Sequence, residues 1–292
     1  MEKVYKSGFV SIIGKPNAGK STLLNVLLKQ KLSIITPKAQ TTRHHIRGID
    51  TGEDYQIVYS DTPGVIKPKY KLHEKMMLAV DSALDEADVI VLLIAADETF
   101  PEEELFNLAK KATAPIILAM NKIDLVTLPE AIARKEEIKK QLTVTEEVDV
   151  CALKEGNIDT LKKLILKHLP ENPPYYDTEE ITDRPERFFV AEMIREQIFL
   201  LMHEELPYSC EVSVLVFKDS PKIVQIDAEI HVERQSQKGM VIGKGGAMLK
   251  QIGTNARKQI ETLLEKQVNL KLYVRLAEEW KDSSRYLKDF GY

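Results

Sequence analysis

Gly14-Lys15-Pro16-Asn17-Ala18-Gly19-Lys20-Ser21 follows the apolar run Phe9-Val10-Ser11-Ile12-Ile13 and precedes a helical pattern that begins at Lys20. The octet fits G-x-x-x-x-G-K-[ST], a loop whose backbone N–H groups surround phosphate oxygens. Gly14 and Gly19 permit that approach, which side chains would obstruct. Lys20 brings a point charge to the β and γ phosphates, Ser21 offers its hydroxyl to Mg²⁺, and Thr22 joins the same nucleotide-contacting set. The helix that starts here turns the positive end of its dipole to the anions. At an ordinary glycine frequency of about 7%, a chain of this length meets the pattern by chance about one time in a hundred. The strand before and the helix after, which the loop requires, are both present.

Outward from this loop the chain alternates short apolar runs with amphipathic stretches up to residue 169. Strands are expected at 9–13, 55–60, 89–95, 115–120 and 148–152. Helices are expected from Lys20 and at about 71–87, 102–111, 129–142 and 158–169. Strands alternating with helices imply an α/β unit with a mainly parallel sheet covered on both faces. Leu169-Pro170-Glu171-Asn172-Pro173-Pro174 breaks this rhythm, because prolines block helix continuation and favour extended chain. The expected layout is therefore a first domain over 1–169, a linker over 170–182 and a second domain over 183–292. The second has a different order: helix 186–205, strand 210–217, a turn at Asp219-Ser220-Pro221, strand 223–233, a glycine-rich loop, helix 246–264, strand 268–276 and a short helix. That is a smaller α+β unit. No internal repeat is visible.

Three further motifs arrive in the order that a nucleotide switch requires. Asp61-Thr62-Pro63-Gly64 ends the strand at 55–60, where ligands of such sheets bind. The Asp61 carboxylate suits Mg²⁺, held through water, and the Gly64 N–H suits the γ-phosphate. Asn121-Lys122-Ile123-Asp124 ends another strand. A carboxylate only accepts hydrogen bonds, so Asp124 suits a base edge with two donors, which guanine has and adenine lacks. Cys151-Ala152-Leu153 ends the last strand, where a backbone N–H can meet guanine O6. Thr41-Thr42-Arg43 lies between the phosphate helix and Asp61. Thr42 is either a second Mg²⁺ hydroxyl, ordered only when the γ-phosphate is present, or a plain surface-loop threonine.

Bulk properties set the limits. The chain has 292 residues, 43% hydrophobic and 29% charged, with a net charge of -4, so it has the composition of a globular protein and nothing global points to nucleic acid. Cys151 and Cys210 cannot make a disulfide framework, and such sparse cysteine suggests a reducing, cytosolic compartment. The six histidines show no metal-ligand spacing. Met1-Glu2-Lys3-Val4-Tyr5-Lys6 lacks the layout of a signal peptide, and the apolar run Val89 to Ala96 is too short to cross a bilayer.

The second domain carries a local signal. Ile242-Gly243-Lys244-Gly245-Gly246 contains G-x-x-G, and Leu249, Ile252, Ala256 and Ile260 follow at the spacing of one buried helix face. A loop of this type clamps the backbone of about four nucleotides. Arg234, Lys238, Lys244, Lys250, Arg257 and Lys258 fall within 234–258, with no Asp or Glu among them. Ile242, the glycine loop, Lys250, Arg257 and Lys258 are the expected RNA contacts; the other reading is a solvated helix face beside a tight turn. Met240 and Met248 read as packing residues. Trp280 has two readings, a base-stacking platform or an aromatic that caps the core.

With these residues in hand, the chain resembles the Era family of bacterial ribosome-assembly GTPases. The resemblance rests on Gly14-Lys15-Pro16-Asn17, Gln40-Thr41-Thr42-Arg43, Asp61-Thr62-Pro63-Gly64, Asn121-Lys122-Ile123-Asp124, Asp183-Arg184-Pro185-Glu186-Arg187-Phe188, Glu205-Leu206-Pro207-Tyr208-Ser209 and Ile242-Gly243-Lys244-Gly245-Gly246. It implies a Ras-like P-loop GTPase domain followed by a type II KH domain, binding of small-subunit (16S) ribosomal RNA near its 3′ end, and work as a monomer on the assembling 30S subunit. Localisation would be cytoplasmic, with at most a weak peripheral association with the inner face of the membrane. Cys151 departs from the family's usual serine. Lys20, Asn17, Thr42 and Gly64 are the expected catalytic set. Many GTPases carry glutamine directly after the D-x-x-G glycine, but here Val65 stands there and cannot orient water. Relatives with Asn at the Asn17 position bind K⁺ beside the phosphates, so the expected cofactors are Mg²⁺ and K⁺; Asn17 can instead merely stabilise the loop turn. A second functional class, a nucleotide-dependent docking protein for a membrane or division partner, is separated from the first by a salt-dependent RNA titration.

Overall fold

The computed structural model describes residues 4–98 and 103–292. Residue 102, where the helix 102–111 was expected to begin, lies outside them. Two compact units emerge, one made of residues up to Lys69 with His73–Asp183, the other of Tyr70–Leu72 with Arg184–Tyr292.

The first unit is built on a six-stranded sheet of β1 (Lys6–Ile13), β2 (Ile46–Thr51), β3 (Tyr55–Asp61), β4 (Val89–Ala95), β5 (Ile116–Asn121) and β6 (Glu146–Asp149). The spatial order is β2-β3-β1-β4-β5-β6. β2 runs antiparallel to β3, and the remaining pairs are parallel. Alternation along each strand divides the apolar side chains between two faces. Val10, Ile12, Ile57, Val91 and Leu93 face α1 (Lys20–Leu28) and α5 (Ile158–His168). Ile13, Ile90, Leu92, Ile94 and Leu118 face α2 (Lys71–Asp85), α3 (Glu103–Ala109) and α4 (Leu128–Lys139). All seven residues of β4 are buried, so this strand reads as a continuous apolar run. Each such Val, Leu or Ile contributes about 1.5–3 kcal/mol on burial. Parallel packing places the strand C-termini, and the loops that follow them, along one edge of the sheet, with strand order running in opposite directions from β1.

Two observations qualify the expected elements. β2 was not anticipated: its sequence, Ile46-Arg47-Gly48-Ile49-Asp50-Thr51, mixes charges and a glycine into an edge strand whose register is dictated by β3. The segment 170–182, expected as a linker, lies against the first unit. Ser7 N–H donates to Pro170 O (3.2 Å). The buried Gln56 amide accepts from Tyr175 N–H and Tyr176 N–H (2.8 and 2.9 Å) and donates to Tyr176 O (2.9 Å). Further on, Ile49 N–H donates to Ile181 O (2.9 Å), Thr182 pairs antiparallel with Gly48, and Thr182 Oγ1 donates to Arg47 O (2.7 Å).

The second unit contains α6 (Glu186–Leu201), β7 (Cys210–Lys218), β8 (Ile223–Val232), α7 (Gln235–Ile242), α8 (Ala247–Leu264), β9 (Gln267–Leu276) and α9 (Ser284–Asp289). β8 is central, antiparallel to β7 and parallel to β9. Val224, Ile226, Ala228, Ile230 and Val232 point inward to a core that includes Ile194 and Ile198 of α6 and Ile252, Ala256 and Ile260 of α8. Trp280 is fully buried and its Nε1–H donates to Ser209 O (3.0 Å), so it caps the core and does not serve as a base platform. Met248 packs against the core as expected, whereas Met240 is 60% exposed. Among the described residues no helix is long and apolar enough to cross a membrane.

Inside this core, Arg195 is fully buried and forms a bidentate pair with Glu192, Nε to Oε1 at 2.7 Å and Nη2 to Oε2 at 2.5 Å. Removing one partner of such a pair leaves a buried charge without its counter-ion. Glu192→Ala is expected to lower the stability of the second unit by about 3–5 kcal/mol. The sole tryptophan, Trp280, lies in that unit, so its fluorescence during urea unfolding reports the loss selectively. An unchanged midpoint would contradict the expectation.

Candidate functional site

The loop after β1 holds its shape through left-handed backbone and close contacts. Gly19 has φ +98°, and a Cβ there would sit 2.3 Å from Asn121 Nδ2. A Cβ on Gly64 would approach the backbone of Pro16 to 2.6 Å, so the loop after β3 can lie directly on the phosphate loop only as glycine. Val65 N–H donates to Gly14 O (3.1 Å), which fastens the two loops together.

Lys20 is 5% exposed, with its ammonium donating to Gly14 O (3.0 Å) and Lys15 O (2.7 Å). Burial lowers its pKa from 10.5 to about 8, against the opposing pull of Asp61 and Glu98. Ser21 Oγ donates to Asp61 Oδ2 (2.8 Å) and lies 2.9 Å from Thr42 Oγ1. Thr42 thus lies beside Ser21 and is 9% exposed. Two hydroxyls and one carboxylate converge, an all-oxygen set that suits a hard divalent cation. Among the described residues no group of three or more His, Cys, Asp and Glu side chains could hold a metal, so a cation here would rely on these hydroxyls.

Several of the other expected residues also brace the loops around the site. Thr62 is fully buried and its hydroxyl donates to Ile12 O (2.9 Å). Asn121, 2% exposed, donates from Nδ2 to Ala18 O (2.8 Å) and accepts at Oδ1 from Ala152 N–H (3.0 Å). It thus ties the phosphate loop to the loop after β6. Ala18 is itself fully buried. Lys122 adopts φ +58° and lies 3.3 Å from Asp97. Asp124 Oδ1 accepts from the Cys151 thiol (3.1 Å), and Oδ2 pairs with Lys154 Nζ (2.8 Å). Lys154 first and then Cys151 hold the Asp124 carboxyl below its ordinary pKa, and burial pushes the Cys151 thiol up.

These elements enclose a cavity of about 390 Å³ whose lining includes Asn17, Lys20, Ser21, Thr42, Asp124 and Leu153, a size suited to a nucleotide-scale ligand. Ile34, Ile35, Thr36, Pro37 and Leu125 also line it. The sequence offered no motif for the first four, since they belong to an irregular loop. Asn17, with φ +64°, donates from Nδ2 to Pro37 O (3.4 Å), joining the phosphate loop to that segment. Val65 is 5% exposed and packs in the apolar core, so the side chain directly after Gly64 has no polar atom to offer.

In the second unit α7 ends at Gly243 (φ +71°), and Gly245 (φ +60°) and Gly246 (φ +78°) complete a turn into the N-terminus of α8. Ile242 and Gly243 are half-buried, while Lys244, Gly245, Lys250, Arg257 and Lys258 are exposed. α7 was not expected: it has only eight residues, contains Gly239 and buries Val241 alone. Its start is fixed by Gln237 Oε1, which accepts from Arg234 N–H (2.9 Å) and Glu233 N–H (3.0 Å).

A mostly parallel sheet with this strand order and a phosphate-type loop after its first strand is the fold of a P-loop GTPase, here joined to a KH module. The family model described as 50S ribosome-binding GTPase matches residues 9–122, and that described as KH domain matches residues 205–281. The chain belongs to the Era family of GTPases: it is 46% identical over 294 residues to GTPase Era of Geotalea uraniireducens (strain Rf4), covering 100% of this chain and 99% of that one. Among solved structures, Era in complex with MgGDPNP and nucleotides 1506–1542 of 16S ribosomal RNA is similar at TM-score 0.95 and 40% identity, over 98% of this chain and 99% of that chain. An Aquifex aeolicus Era variant bound to GDP·AlF4⁻ is similar at TM-score 0.94 and 40% identity, over the same shares.

Proposed function

We propose that this GTPase couples its guanine-nucleotide state to binding of the 3′ end of 16S ribosomal RNA, and so assists small-subunit assembly. The observation that carries this reading is the Gly243–Gly246 turn at the start of α8, which exposes Lys244 and Gly245 and is followed by exposed Lys250, Arg257 and Lys258, in a chain that also holds a nucleotide-sized cavity. The 40% identical Era whose complex contains both a GTP analogue and 16S RNA supports the same pairing of ligands.

In this reading Ser21, Thr42 and Asp61 hold Mg²⁺, which supplies charge neutralisation at the phosphates. Lys20 stabilises the charge that develops on the transferred group, and the Gly64 N–H meets the γ-phosphate. Asp124 accepts from guanine N1–H and N2–H₂. Cys151 stands where the family usually has serine and still donates to Asp124, so guanine binding survives the exchange. The cytoplasm is the working place, supported by two buried free thiols. The protein acts as a monomer on the assembling 30S subunit, and any membrane contact is peripheral.

The test is a titration of a 3′-terminal 16S RNA segment at several salt concentrations, with GTP analogue, GDP or no nucleotide. A steep negative slope of log affinity against log salt is expected, because phosphate neutralisation releases counterions, together with a different affinity for each nucleotide state. RNA affinity indifferent to both salt and nucleotide would overturn the reading and favour the docking class.

A potassium requirement follows from Asn17 and Val65 together. Asn17 reaches Pro37 O of a loop that lines the cavity, and the Val65 side chain cannot orient water, so a K⁺ held there would supply the missing charge stabilisation. GTP turnover is expected to be several-fold faster in KCl than in NaCl at equal ionic strength. Equal rates would leave Asn17 as a residue of the loop turn only.

A further inference from the structure

Asp124 reaches the cavity from the end of β5, but what aims it comes from another part of the chain. The loop after β6 is closed by a reciprocal pair of backbone hydrogen bonds, Cys151 N–H to Gly156 O (3.1 Å) and Gly156 N–H to Cys151 O (2.9 Å). Within that closure Ala152–Lys154 forms a single 3₁₀ turn, Glu155 (φ +55°) and Asn157 (φ +59°) take left-handed backbone, and Asn157 Nδ2 donates to Asp149 O (2.8 Å). Ala152 N–H is bound in addition to Asn121 Oδ1. The loop is thereby fixed on three sides. Its two polar side chains that meet Asp124 divide the carboxylate between them, Cys151 Sγ on Oδ1 and Lys154 Nζ on Oδ2.

Guanine recognition through a carboxylate needs both oxygens in one plane with the base, because N1–H and N2–H₂ are parallel donors. Each carboxylate oxygen has about two acceptor sites, so a partner on each restrains the plane without using up the carboxylate's acceptor capacity for the base. Without the partner on Oδ2, rotation about the Cβ–Cγ bond of Asp124, a broad torsion, loses its one ionic restraint and keeps the Cys151 thiol and the backbone N–H of Asp124 itself. We propose that Lys154 is a positioning residue for guanine recognition: its ammonium locks the Asp124 carboxylate in the plane that the two-donor base edge requires. This rests on the assignment of Asp124 as the reader of guanine. Lys154 touches no nucleotide in this scheme and acts through Asp124. The neighbouring cation Lys122 points elsewhere, to Asp97.

The experiment measures affinities of the full-length protein for GDP, inosine diphosphate and xanthosine diphosphate. The variants are Lys154→Ala, Lys154→Arg, Asp124→Asn and the double variant Lys154→Ala/Asp124→Asn. Inosine lacks the 2-amino group and needs only one carboxylate oxygen. Lys154→Ala is expected to weaken GDP binding about two- to fivefold at low salt, the range of an exposed ion pair, and to weaken inosine diphosphate binding less. The GDP loss should shrink as salt rises from about 0.05 to about 0.5 M, and Lys154→Arg should restore it. In the Asp124→Asn background, tested with xanthosine diphosphate, Lys154→Ala should have no effect. Equal losses for GDP and inosine diphosphate would mean that Lys154 serves only loop packing. Tighter GDP binding would make it a competitor for Oδ2. Either result overturns the proposal, as does a silent Lys154→Ala in a protein whose Asp124→Asn variant does prefer xanthosine diphosphate. If Asp124→Asn leaves base preference unchanged, the assignment of Asp124 fails and the proposal falls with it.

Discussion

A Lys20→Ala protein is expected to lose guanine-nucleotide affinity by roughly ten- to a hundredfold, the value of a charge-assisted hydrogen bond. GTP turnover should fall by about a hundredfold or more, as when one stabiliser of developing charge is removed. The chain should still fold, since the Lys20 ammonium is held only by two loop carbonyls. The same residue gives a pH dependence with a definite sign. Burial lowers Lys20 to about 8, and phosphates bound opposite it would raise its pKa again. Above about pH 8 the free protein has lost a proton that the complex retains, so binding takes up a proton and affinity declines as pH rises. Below about 8 both forms are charged and this contribution is flat. Stability runs the opposite way: the folded pKa lies under the unfolded value, so the penalty of the buried charge is present below about 8 and relieved between about 8 and 10.5. Calorimetry in two buffers of different ionisation enthalpy measures the proton uptake directly. Parent-like turnover in the alanine variant, or no proton uptake near pH 9, would show that the phosphates do not meet Lys20.

The second large effect belongs to the other unit. Lys244→Asp with Gly245→Asp puts two carboxylates on the exposed turn where the RNA backbone is proposed to lie. Gly245 has φ +60°, yet a Cβ there meets nothing within 4 Å. The substitution strains the turn without a clash, so the loss reports on RNA contact more than on folding. RNA affinity is expected to fall by orders of magnitude through like-charge repulsion. GTP binding should persist, because the nucleotide cavity is lined entirely by residues of the first unit. Any RNA-dependent change in turnover should vanish together with RNA binding, since coupling needs both sites occupied. The measurement is RNA affinity and GTP turnover, with and without RNA, for the parent and the double variant. RNA bound as tightly as by the parent would make 234–258 a solvated surface.

Much of this was legible from residue order because parallel strands place their motifs at predictable ends. The phosphate loop, Asp61 and Asp124 each follow an apolar run, and the sheet brings those runs side by side. What stayed hidden depends on backbone hand and on neighbours distant in sequence. Residue order does not show that the Asn121 side chain bridges Ala18 and Ala152, beside the left-handed turn at Lys122. Nor does it show that the Thr62 hydroxyl secures β1 at Ile12 O. Lys154 gives no signal by itself, because its role arises only once the loop closes Cys151 onto Gly156. β2 was missed because Arg47, Gly48 and Asp50 interrupt any apolar alternation, and its place at the rim asks for burial on fewer sides.

That rim has a practical side. The 181–182 backbone pairs with Ile49 and Gly48, so the outermost strand of the sheet is sheltered by chain that follows the last helix of the first unit. Bare strand edges invite pairing with other molecules. A fragment cut after Leu169 would strip that cover and also leave Gln56 buried without its partners at Tyr175 and Tyr176. Such a fragment should self-associate, whereas one carried through to Asp183 keeps its hem and should stay dispersed.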